Sequence, residues 1–365
     1  MRRVTPTRST ARSAAKSPLG ARGRTIAEHW QRVLRVVLHV GARLDADLSL
    51  ARLSRLAHLS PYHFQRVFAA ATGESCKQHV RRLRLERAAL ELRDTERAIA
   101  GIALDAGYAD VPSFYRAFGA HFGTSPAGFR ERAARAGRPA MPPASLRRWQ
   151  VTTDEHGQLH SISHAAASAP ADAGSATRLV QLARLRLAFV RRTGPLAARA
   201  AFADFARLVA FASRKSAMTD PLLMRLHHDD PAITPSPLRR IDHAIVIGPR
   251  RRGEGDIGTQ TIGGCALLAA TCAGGIASAA ATRRWLETAG RAAHGAARLH
   301  GPCIEIVLDW PVDRPARARD LGASLRDVLV PVALPAAAYP WYWRRRASNV
   351  AAAANTDSRR PKRDP

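Results

Sequence analysis

Apolar residues return at helical spacing in two stretches fifty positions apart. PYHFQRVFAAATGES, from Pro61, puts Phe64, Val67 and Phe68 on one stripe, and VPSFYRAFGAHFGTS, from Val111, does the same with Phe114, Ala117 and Phe118. Phe64, Arg66, Phe68, Gly73 and Ser75 recur as Phe114, Arg116, Phe118, Gly123 and Ser125, each displaced by 50. Upstream, LARLSRLA at 50–57 matches IAGIALDA at 99–106 with a displacement of 49, so the second copy gains one residue between its two pieces, which predicts a turn there. Each copy reads as a short helix, a polar turn, a second helix opened by Pro61 or Pro112, and a glycine stop. The pattern is helix-turn-helix, written twice.

Between the copies, ESCKQHVRRLRLERAALELRD has neither Gly nor Pro, and Val80, Leu83, Leu85, Ala88 and Leu92 give it a helical apolar stripe. A helix of this length spans roughly 30 Å, close to the roughly 34 Å between successive major-groove faces of B-DNA, so one chain has the reach to read two grooves. Outward positions on the two second helices are Tyr62, His63, Gln65 and Arg66, then Val111, Ser113, Tyr115 and Arg116. Gln pairs bidentately with adenine and Arg with guanine, which puts Gln65 and Arg66 first. His63 either reaches DNA or caps and packs. Val111 and Pro112 suit backbone contact or a thymine methyl. Arg81, Arg82, Arg84 and Arg87 on the spacer either meet phosphates or form a solvated face.

Further along, 133–178 is rich in Ala, Pro, Ser and His and reads as a linker with one strand near LRRWQVTT. Residues 179–250 give a strand (VQLARLRLAFV), a helix (AAFADFARLVAFASR) and two strands (LLMRLHHDD, DHAIVIGP). Residues 257–332 repeat that order with TQTIGGCALLAAT, AAATRRWLETAGRAA, CIEIVLDWP and RDVLVPV. The expected fold class is therefore a multidomain α + α/β chain: an all-α double helix-turn-helix domain at 25–132, then an α+β domain of two β-α-β-β repeats at 179–334. Two such halves can join their sheets and leave a small-molecule cleft.

Charge adds a partner. The chain has 57 Lys and Arg against 29 Asp and Glu, a net +28, which favours a polyanion such as double-stranded DNA. Residues 1–24 hold seven basic and no acidic residues and read as a disordered basic arm, with a transit peptide as the alternative; 335–365 reads either as a disordered basic tail that adds salt-dependent DNA affinity or as a segment whose YPWYW docks on the body. No apolar run is long enough to cross a membrane. Cys76, Cys265, Cys272 and Cys303 form no CxxC pair and have no ligand-spaced histidines, so neither metal nor cofactor is expected, and a cytoplasmic, nucleoid-associated location fits.

RRLRLERAA, the paired HF-R-F and SFYRAF motifs, DAGY and the closing FGTSPAGFR resemble the AraC/XylS family of bacterial transcription regulators over 26–132. The resemblance implies a seven-helix unit with two recognition helices in adjacent major grooves, and RNA polymerase as a partner. GESCKQHVRRLRLERA is similar to members that carry a GyrI-like effector domain behind the DNA-binding domain. RRTGP, HHDDP, TPSPLRRID, HGPCIEIVLDWP and LVPV resemble that GyrI-like (SHS2-repeat) domain itself. This implies a small-molecule effector, with Glu305 at the family's ligand-contacting glutamate and a cationic or amphipathic ligand beside it. Leu196 and Val307 stand where the family carries aromatics, and Trp285 and Trp310 are the candidates to replace them. Two other functions remain open: a small-molecule hydrolase with Glu305 as general base, and a non-sensing DNA-binding protein that uses the second domain for protein contacts.

Overall fold

The computed structural model describes residues 21–136, 148–153, 159–165, 178–182, 184–195, 198–214, 221–272, 275–291, 297–298, 301–307 and 326–333. Trp310, the 335–365 tail and the arm up to residue 20 lie outside them. Seven helices come first: α1 (Ala21–Ala42), α2 (Leu50–Leu56), α3 (Pro61–Thr72), α4 (Cys76–Asp94), α5 (Ile99–Asp105), α6 (Val111–Phe122) and α7 (Pro126–Arg135). Helix α1 thus begins inside the segment read as an arm.

The repeated phrase has a structural reason at the ends of α3 and α6. Gly73 and Gly123 close these helices at φ 78° and 68°, a conformation that costs glycine little. Two residues on, Ser75 and Ser125 accept the backbone N–H of Gln78 and Gly128 and so start α4 and α7. Gly-x-Ser is a stop followed by a start. In the two interhelical turns, His58 (φ 53°) and Gly107 (φ 81°) take left-handed conformations at matching places.

Each copy has its own core and both lean on α4. Leu53, Phe64 and Phe68 pack with Val80 and Leu83; Ile102, Phe114 and Phe118 pack with Leu85, Ala89 and Leu92. Packing from several sides gives α4 no simple polar face, and Arg82, Glu86 and Arg87 are buried along with its leucines.

A hairpin of β1 (Arg148–Thr153) and β2 (Leu159–Ala165) stands in the segment read as a linker. Then follow β3 (Arg178–Gln181), β4 (Leu185–Thr193), α8 (Ala198–Ser213), β5 (Leu223–His227), β6 (Arg240–Val246), β7 (Ile257–Ile262), β8 (Ala266–Cys272), α9 (Gly275–Trp285), β9 (Ala297–Arg298), β10 (Cys303–Val307) and β11 (Arg326–Ala333). They form one antiparallel sheet in the order β3-β8-β11-β10-β5-β6-β4-β7, with β9 on β11. The trios β5-β6-β4 and β10-β11-β8 join through β5 and β10. Two stretches expected as single strands each break in two: β3 leaves β4 to pair with β8, and β7 leaves β8 to pair with β4. The second break is made by Gly263 and Gly264, at φ 94° and 79°, and the Gly264 N–H donates to the Leu182 carbonyl beside the first.

Both faces of this sheet are covered, which is why its strands read as nearly continuous apolar runs. Ala188, Val190, Leu223, Ile245 and Val307 face Phe205, Leu208 and Phe211 of α8. Leu187, Phe189, Met224, Leu226, Ile304 and Ile306 face Leu34 of α1, with Trp30 and Leu38 packed beside it. Helix α1 therefore carries two stripes, Val33, Val36, Val37 and Val40 toward the helical bundle and Trp30, Leu34 and Leu38 toward the sheet. Gln31 seals the joint, donating to the carbonyls of Gly255 (2.8 Å) and Ile257 (2.9 Å).

Candidate nucleic-acid interface

Helices α3 and α6 start at capped ends that hold their outward residues in place. Ser60 accepts the N–H of His63, and Asp110 accepts both the N–H (2.6 Å) and the hydroxyl (2.8 Å) of Ser113. Between the two helices, along the start of α4, runs an open trough of about 1010 Å³ whose walls include Gln65, Lys77, Arg81, Arg84, Ser113 and Arg116. Helix α4 has 19 residues and so spans about 28 Å at 1.5 Å per residue.

The named side chains are not equivalent. Gln65, Arg66, Arg81 and Arg116 are exposed, and Tyr62 is 76% exposed at the start of α3. His63 is half-buried, with Nε2 3.4 Å from Nε2 of His29 on α1, so its ring packs between helices. Ser113 belongs to the cap, and its hydroxyl also accepts from Arg116 (2.9 Å). Tyr115 is partly buried edge-on against Phe114. Arg84 turns inward, donating to the carbonyls of Leu44 (3.1 Å) and Ala46 (3.3 Å), and packs under Gly107. Arg82 pairs with Glu74 (2.6 Å) and Glu86 (3.2 Å), and Arg87 with Asp45 (2.5 Å), so neither belongs to a phosphate-facing surface. Lys77, one turn before Arg81, is exposed on the trough and had no distinguishing sequence signal.

The second candidate site lies on the α8 side of the sheet. Glu305 is 2% exposed on β10, 2.9 Å from the Arg225 guanidinium and 2.7 Å from His227 Nε2 on the neighbouring β5. The carboxylate expected to meet a cationic ligand is already met by an arginine of the chain. Burial lowers the His227 imidazole to about 4 despite Glu305, leaving it neutral near pH 7. Arg283 on α9 is 5% exposed and interacts electrostatically with Glu305. Trp285 follows two residues further along α9 and is half-buried. Arg225 Nε, His243 Nε2 and Thr282 Oγ1 are buried with no hydrogen-bond partner among the described residues.

Two helix-turn-helix units on one rigid spacer, with exposed Gln, Lys and Arg along the trough between them, define a DNA-binding transcription regulator. The family model "Helix-turn-helix domain" matches residues 53–132. Over 104 residues the chain is 32% identical to the regulatory protein SoxS of Salmonella typhimurium, covering 28% of this chain and 97% of that protein. Over 121 residues it is 33% identical to the transcriptional regulator Rob of the same organism, covering 33% of this chain and 41% of that protein. The solved C-terminal domain of EcmrR is covered to 98% by 44% of this chain, at 14% identity and a TM-score of 0.34. The chain belongs to the AraC family of transcription regulators.

Proposed function

We propose that this chain binds DNA as a monomer through residues 25–132, with α3 and α6 in successive major grooves, and that residues 179–334 form a GyrI-like unit that answers to a small molecule. The observation that carries the first part is the trough shared by Gln65, Arg81 and Arg116, three exposed side chains from three helices. In this reading Gln65 and Arg66 take base edges, Arg116 reads the second groove, and Lys77 and Arg81 neutralise phosphates between them. RNA polymerase is the partner through which such a regulator acts.

The open polar atoms of Arg225, His243 and Thr282 support the sensing part, since a guanidinium N–H, an imidazole nitrogen and a hydroxyl left without partners suit an amphipathic ligand with a hydrogen-bonding polar end. A cationic ligand has to displace Arg225 first. The same pairing disfavours the hydrolase reading, because a carboxylate bonded to a guanidinium is a weaker base.

Selecting a site from random duplexes and titrating the full chain by fluorescence anisotropy tests the DNA reading. One chain per site of about 20 base pairs is expected. Arg66→Ala should cost roughly 1–3 kcal/mol on that site and little on random DNA. A palindrome bound only by two chains, or equal losses on both DNAs, contradicts it.

A further inference from the structure

A cavity of about 470 Å³ lies between the helical bundle and the sheet, mostly against the face that α1 covers, and reaches round the ends of β5 and β10 to His227 and Cys303. Its walls come from both parts of the chain. Val37 and Leu38 of α1 and Leu90 of α4 form one, and Leu182, Ile262 and Leu267 of the sheet form the other. The volume falls within the range of small-molecule sites, and walls of this kind accept apolar surface.

The polar groups at the rim have settled their charges among themselves. Arg191 pairs with Asp242 (2.6 Å), Arg240 with Asp229 (2.5 Å), Arg87 with Asp45 (2.5 Å) and Asp230 with Arg93 (2.7 Å). Glu86 pairs with Arg82 (3.2 Å), and Glu287 also has a partner. A charged ligand would have to break one of these pairs, and all but Arg87–Asp45, whose carboxylate is exposed, are largely buried, so the exchange is strongly unfavourable because it strands the other member. Gln260 is different. Its amide donates to Asp242 (3.0 Å), while its carbonyl accepts no hydrogen bond among the described residues and remains available to a hydroxyl.

We propose that this space between the bundle and the sheet is a binding site for an uncharged, mostly apolar molecule with a hydroxyl at one end. The occupant touches α4, on which both helix-turn-helix copies pack, and the sheet at once. It therefore favours one arrangement of the two parts over others, which is the only requirement for coupling to DNA affinity.

The test uses the full chain and the uncharged fluorophore N-phenyl-1-naphthylamine, displaced in turn by 1-decanol, decanoate and decyltrimethylammonium. Decanol should displace the probe at least about ten-fold better than either charged molecule of the same chain length. Gly41 lines the cavity with open space around its missing side chain, so Gly41→Leu should fill part of the site without disturbing the fold, and Cys265→Phe should fill it from the sheet side. Both should weaken probe and decanol by about ten-fold or more with the urea midpoint retained. Gly248→Leu, also in open space but away from the cavity, should leave binding unchanged. Equal displacement by the charged molecules, or unchanged binding in both filled variants, overturns the proposal.

Discussion

Arg66 and Arg84 show how little residue type says about role. Arg66 is exposed on α3, whereas Arg84 ties α4 to the α1–α2 connection through the carbonyls of Leu44 and Ala46. Arg84→Ala should therefore lower folding stability by about 2 kcal/mol, since each hydrogen bond to a charged donor contributes ~1.5–3 kcal/mol at most sites. Its loss in DNA binding should follow the unfolded fraction only. Urea unfolding and anisotropy on the same preparation separate the two effects. Buried histidines make a second residue-scale prediction. Burial lowers the imidazoles of His79, His227, His228 and His243, His227 to about 4, while in the unfolded chain they titrate near ~6.5. Between those values the unfolded state binds more protons, so stability is complete above about pH 6.5 and falls as the pH drops toward 4. Carboxylates extend the loss. Burial alone would raise Glu74 and Asp204, but His79 and Arg82 hold the first, and Arg192 and His243 the second, at about 2. These contributions disappear as the pH falls from the ordinary carboxylate range toward 2. Urea midpoints measured from pH 7 to 4 should decline steadily; a flat profile contradicts the assignment.

At the scale of elements, the two copies differ most in the turn before the second helix. Gly107 sits at φ 81°, and a Cβ there would lie 2.8 Å from the Arg84 guanidinium that braces α4. Gly123 also has a positive φ, 68°, but a Cβ there would meet nothing within 4 Å. Gly123→Ala should thus cost only the left-handed strain, on the order of 1 kcal/mol, and Gly107→Ala clearly more, because it also displaces Arg84. Thermal unfolding of the two variants side by side checks the order. The reverse order would mean that Arg84 yields freely and braces nothing.

For the whole molecule, the decisive contact is α1 lying on the sheet. Gly258 of β7 allows it: a Cβ at that position would run into the Leu34 side chain and come within 2.7 Å of Phe189 Cζ. Gly258→Val should push α1 off the sheet, at a cost of about 1–3 kcal/mol from overpacking. The bundle and sheet should then unfold in two steps by calorimetry where the parent unfolds in one. A single transition at an unchanged temperature would show that the joint does not depend on this close approach. The ion pairs Arg93–Asp230 (2.7 Å) and Arg291–Asp94 (3.4 Å) cross the same joint. The cavity beside it sits where a ligand has most effect on how the two parts dock.

Much of this was legible from the sequence, and what was legible is local. The duplicated helix-turn-helix, the cores built on Phe64, Phe68, Phe114 and Phe118, and the glycine stops follow from side-chain periodicity and backbone preference over a few residues. The outward positions of Gln65, Arg66 and Arg116 follow from the same periodicity. The roles that only the tertiary structure decided depend on partners far away in the chain. Arg225 reaches Glu305 across 80 positions, and Gln31 reaches the sheet across more than 220. Arg82 and Arg87 read as surface cations because arginine ordinarily is one, and only the carboxylates of half-buried Glu74, buried Glu86 and Asp45 draw them inward. Likewise the second stripe of α1 had no visible counterpart in its own segment. A helix that buries two faces shows its neighbours no clean polar side, and which surfaces cover it is determined by the packing of the whole chain.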